Sequence, residues 1–105
     1  VIPKSFQLAG RTWKVNFIPP QKAFWPNKDD LGYTDNVKGE LYIVAHPEVS
    51  RDMHHLTFLH ELCHAIWFMR GYGYDDKHDE QEIESVAVML HQYEKTKRGE
   101  LDVGS

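Results

Sequence analysis

Cysteine is nearly missing from this chain of 105 residues. Cys63 stands alone, so no intrachain disulfide can form and a structural zinc site built on several thiolates is excluded. No stretch approaches the ~20 consecutive apolar residues of a membrane span, and no basic-then-apolar leader follows Val1. Basic residues are in the minority. Lys and Arg number 12 against 16 Asp and Glu, a net charge of −4 with neutral histidines, the reverse of what binds nucleic acid. The one short basic cluster, Lys95, Lys97 and Arg98, suits a helix C-terminal dipole better than a phosphate. Repeats, low-complexity tracts and linkers are absent as well, so residues 1–98 read as one domain and 99–105 as a disordered tail. A lone cysteine fits a reducing cytoplasm.

Apolar residues make up 41% of the chain and aromatics 12%, enough for one core. The first half reads as strands. Trp13, Val15 and Phe17 alternate with polar neighbours over Arg11–Ile18, until Pro19-Pro20 ends the run. Phe24, Trp25, Pro26 and Asn27 mark an ordered loop over Gln21–Asp30. Leu31–Thr34 and Glu40–Ala45 flank a hairpin turn in which Gly39 can take a positive φ, and His46-Pro47 closes the second arm. The second half reads as two helices. The first runs from an N-cap at Ser50 to Met69, with Leu56, Leu59, Leu62, Cys63, Ile66 and Trp67 at helical spacing. After a loop over Tyr72–Lys77, Asp75 and Asp76 can cap a second helix whose stripe is Ile83, Val86, Ala87, Leu90 and Tyr93. The expected fold is α+β: a three-stranded antiparallel sheet, then two packed helices.

Histidine is abundant, at seven residues. Two of them frame His60-Glu61-Leu62-Cys63-His64, an H-E-x-x-H inside the first helix. Residues four apart share a helical face, so both imidazoles can reach one ion. Glu61, offset by about 100°, points beside that ion, where a carboxylate can act on water. Shuffled sequences of this composition give the pattern by chance in roughly 3% of cases. The plain alternative is a pair of surface histidines. Cys63, on the packed side, reads as a small buried hydrophobe. His54 and His55 read as exposed helix residues, His46 as a strand end, and His91 as a polar group at the stripe's edge.

The run Thr57-Phe58-Leu59-His60-Glu61-Leu62-Cys63-His64-Ala65-Ile66-Trp67 resembles the small phage-encoded zincin-like metallopeptidases related to the ImmA/IrrE group. The hairpin before it and the acidic-to-apolar helix after it fit that layout, so the likeness covers roughly Leu31 to Tyr93. It implies a minimal gluzincin in a host cytoplasm, with one Zn2+ on two histidines and a downstream Glu, and hydrolysis of a protein or peptide substrate. For the third ligand the candidates are His78, Asp79, Glu80, Glu82, Glu84 and His91. Glu80, three residues before Ile83, points inward and is favoured. Glu84, one turn on, is either the alternative ligand or the acid that orients a ligand histidine, as in the family's E-x-x-x-D arrangement. His78 is the choice if the chain is instead SprT-like, since those proteases place a histidine about there. Helix-dipole complementation alone also accounts for three early acids.

The expected reaction is metal-assisted hydrolysis of a peptide bond. Zinc on His60, His64 and Glu80 activates water and polarises the carbonyl, and Glu61 is the general base. Tyr72 and Tyr74 are the available oxyanion helpers, and Glu40–Ala45 is a candidate edge for pairing with an extended substrate. Two rivals remain at this stage. One is a different amide, such as that of a cell-wall peptide. The other is a non-catalytic module in which metal fixes the helices and a surface around Trp25, Tyr33 or Trp67 binds a protein.

Overall fold

The computed structural model describes residues 2–27, 29–72 and 80–102. It is a small α+β arrangement of a four-stranded mixed sheet and two helices. The strands are β1 (Ser5–Leu8), β2 (Arg11–Ile18), β3 (Gly32–Asp35) and β4 (Glu40–Val44), in the spatial order β1-β2-β4-β3. The helices are α1 (Arg51–Trp67) and α2 (Glu80–Thr96).

The expected sheet of three antiparallel strands is corrected in two respects. Ser5–Leu8 adds a strand, antiparallel to β2, through a two-residue turn in which Ala9 has φ 50° and Gly10 φ 81°. Two positive φ values match the twist of a tight hairpin, but an alanine in that region is uncommon, so Ala-Gly gives little turn signal. The second correction is that β2 and β4 run parallel, with Lys14 opposite Glu40 and Ile18 opposite Val44. The chain after β2 passes sideways through a short 3-10 turn, Pro20–Lys22, and starts β3 two strand positions away, leaving a gap between them. The β3–β4 hairpin then folds β4 into the gap, with Val44 N–H donating to Leu31 O and Ala45 N–H to Ile18 O. So β4 is an interior strand, not the edge expected of Glu40–Ala45. The edge on that side is β3.

Apolar groups pack on both faces of the sheet. Trp13, Leu41 and Ile43 meet Phe58, Leu59, Cys63, Ala65 and Trp67 of α1 and Ile83 and Ala87 of α2 in the main core. On the other face, Ala23 and Trp25 of the aromatic loop pack on Val44, with Ile18 and Tyr42 alongside. Trp25 Nε1 donates to Asp30 O at 3.0 Å and fixes the loop's end beside the start of β3. Of the surface one rival reading named, Trp25 and Trp67 are core residues and Tyr33 is exposed.

Ser50 caps α1, its Oγ accepting from Met53 N–H at 3.1 Å. Past Trp67 the helix widens into a π-type turn, Phe68–Tyr72, which Gly71 leaves at φ 98°, a value suited to glycine. The stripe of α2 is narrower than expected. Ile83 and Ala87 are buried and Val86 half-buried, whereas Leu90 and Tyr93 lie beyond the core and stay exposed. Near that end Asp52 of α1 accepts from Lys95 Nζ at 2.9 Å and pairs with His91 Nε2 at 3.2 Å. His54 and His55 are half-buried, not exposed: the His54 ring packs T-shaped with Phe17, and the His55 ring with His91. No described helix is long and apolar enough to cross a membrane.

Candidate metal centre

The helical spacing of His60 and His64 sets both rings on the side of α1 that faces the start of α2, their centroids 5.0 Å apart. Glu80 stands opposite them. One of its oxygens, Oε2, lies 3.3 Å from His60 Nε2, and the other, Oε1, lies 3.2 Å from His64 Nε2. Ligand atoms from the three residues fall within 4.8 Å of one another, the one such set among the described residues. Zinc bonds of about 2.0–2.2 Å in a tetrahedron put neighbouring ligand atoms about 3.3–3.6 Å apart. The observed separations are close to that and longer than the 2.7–2.9 Å of a charge-assisted hydrogen bond. A two-nitrogen, one-carboxylate donor set thus fits a zinc-sized cation.

Glu84 occupies a different place. Its Oε2 is 2.8 Å from His60 Nδ1, an ordinary hydrogen bond. A carboxylate can only accept, so Nδ1 carries a hydrogen, and Nε2 is the nitrogen that faces Glu80 and is placed to ligate a cation. Glu82, exposed on another side of α2, joins neither group.

Glu61 is buried, at 8% exposure, although the residues on either side of it are half-buried. The enclosing groups come from β3. Thr34 Oγ1 donates to Glu61 Oε1 at 2.7 Å and also lies 3.2 Å from the main-chain oxygen of Glu61. A methyl group added at Gly32 would come within 2.9 Å of Glu61 Cγ and Oε2 and of Thr57 Cγ2, so only glycine lets the strand approach this closely. Desolvation pushes the Glu61 carboxyl up to about 7, against the opposing pull of the Thr34 hydrogen bond and His60, and with help from Glu80 and Asp30. Burial likewise pushes the Cys63 thiol up to about 11, away from the thiolate a metal would need.

These groups line an open groove of about 700 Å3 between β3, α1 and the first turn of α2. His60, His64, Glu61, Glu80 and Glu84 form one wall and floor. Asp29, Asp30, Gly32, Tyr33 and Thr34 form the other. Sequence reasoning overlooked Thr34, Gly32 and Asp30. A glycine within a strand was the available signal for Gly32, while Thr34 and Asp30 depend on a tertiary approach that no local pattern records. Tyr74, Asp75, Asp76, His78 and Asp79 lie outside the described residues, as does the Tyr72 side chain; both expected oxyanion helpers and the SprT-like third ligand are among them. His91 is far along α2, bound to Asp52. No family model, curated protein or solved structure matches the chain.

Proposed function

We propose that the protein is a zinc-dependent hydrolase, a metallopeptidase of zincin-like type, with His60, His64 and Glu80 as metal ligands and Glu61 as general base. The observation that carries this is a buried, unliganded carboxylate beside a three-donor set on an open groove. A purely structural metal has no use for Glu61, whereas hydrolysis requires a base near neutrality. Zinc held there would supply a Lewis acid that polarises the scissile carbonyl and lowers the pKa of water.

The chain's own residues divide the remaining work. Glu61 takes a proton from the attacking water and returns it to the leaving amine. Thr34 fixes Oε1 of Glu61, which leaves the other oxygen to exchange protons. Glu84 holds His60 in the tautomer that can ligate. Since Leu31 bonds to Val44, alternation directs the main-chain groups of Gly32 and Thr34 away from β4, along the rim of the groove. An extended peptide added to that edge would bring its backbone past Glu61.

The test pairs two variants. Glu61→Gln should bind zinc one-to-one and lose peptide cleavage by 10²–10⁴-fold, the usual worth of a general base. His64→Ala should lose both. Unchanged cleavage by Glu61→Gln refutes the assignment.

A further inference from the structure

The groove carries charge of one sign. Five carboxyls line it, and no Lys or Arg does among the described residues. With neutral histidines, an ionised Glu61 and a dication in place, the described groups would still leave three negative charges. Glu61, Glu80 and Glu84 have tasks at the metal, but Asp29 and Asp30 have none there.

Those two acids line the groove together with Tyr33, and the Asp30 carboxylate accepts from Asn27 Nδ2 at 3.4 Å. Tyr33 lies flat on Trp25, with centroids 5.4 Å apart and planes 8° from parallel, and 37% of the residue is exposed. The same Trp25, itself buried, donates its Nε1 hydrogen to Asp30 O. One indole therefore fixes both an aromatic face and the backbone that bears the acid. Asp30 also stands close enough to Glu61 to act on its charge. On β3, Tyr33 projects to the face of the sheet opposite Thr34 and Glu61. A peptide paired with this edge would aim alternate side chains toward Tyr33.

We infer that the groove selects substrates with a lysine or arginine side chain, seated on Tyr33 beside Asp29 and Asp30. The inference rests on the hydrolase reading, to which it adds the class of substrate. A cation is attracted by the ring's negative face and by the carboxylates, and the alkyl stem covers apolar surface. A glutamate at the same position meets repulsion from both acids.

The experiment measures binding and cleavage separately. Zinc-loaded Glu61→Gln protein is titrated by fluorescence anisotropy with three labelled decapeptides that differ only in a central Arg, Ala or Glu. The Arg peptide should bind about tenfold more tightly than the Ala peptide, as two exposed ion pairs and a cation–π contact allow, and the Glu peptide should bind most weakly. In the Asp29→Asn, Asp30→Asn double variant, which keeps the main-chain acceptor for Trp25, the order should collapse to within about twofold. Equal affinities in the first protein, or an unchanged order in the double variant, overturn the inference. Wild-type protein is then assayed for cleavage of the same peptides. Cleavage without discrimination counts against the basic-side-chain site alone. Preferential binding without any cleavage counts against the hydrolase reading and leaves the binding site standing.

Discussion

An anionic Glu61 is unfavourable in its buried setting, and the effect on stability has a definite sign. A carboxyl raised from 4.5 to about 7 binds a proton in the folded chain that it has already released in the unfolded one. Metal-free protein should therefore lose up to about 3 kcal/mol of stability as pH climbs from 4.5 through 7, by linkage. Urea melts at several pH values should show that fall, and Glu61→Gln should flatten it; a metal-free protein as stable at pH 8 as at pH 5 would contradict the burial. Thr34 offers a second check at the same carboxylate. Thr34→Val, which keeps the shape and removes the donor, should cut kcat at least tenfold and displace the acidic limb of the kcat/KM profile, while Thr34→Ser restores both. Glu84→Gln weakens a different contact, the one on His60 Nδ1, and should lower zinc affinity about 10–100-fold.

At the scale of elements, the motif helix was the most legible part of the chain. Ser50, the apolar spacing and the H-E-x-x-H set its start and its two faces without reference to anything distant, and α1 begins where the cap puts it. Ser50→Ala should cost about 1 kcal/mol in denaturant melts, since it orphans the Met53 N–H. The β3–β4 hairpin was legible too, because Gly39 at φ 69° closes the turn as its chemistry demands. The sheet's order was not. Parallel pairing of β2 with β4 follows from where the Pro20–Lys22 turn and the Trp25 loop send the chain, a long-range matter that leaves no periodicity. The same cause moved the free edge from β4 to β3. That correction matters for function, because β3 is the strand that carries Thr34 and Gly32 to Glu61.

Across the whole molecule, two helices and one strand edge meet at the groove, and a cation there would join the middle of α1 to the first turn of α2. Binding to the folded state alone stabilises by mass action, about 2.7 kcal/mol when free zinc is 100-fold above its Kd. The spacing of two histidines made half of this centre readable. Glu80 was reachable from the stripe of α2, but its position between the two Nε2 atoms depends on how the helices pack. Anomalous diffraction at the zinc edge from zinc-soaked crystals tests the arrangement most directly. The expected result is one strong peak about 2.0–2.2 Å from His60 Nε2, His64 Nε2 and a Glu80 oxygen, with Glu61 uncoordinated. A peak bound elsewhere, or bound by Glu61 in place of Glu80, contradicts the centre described above.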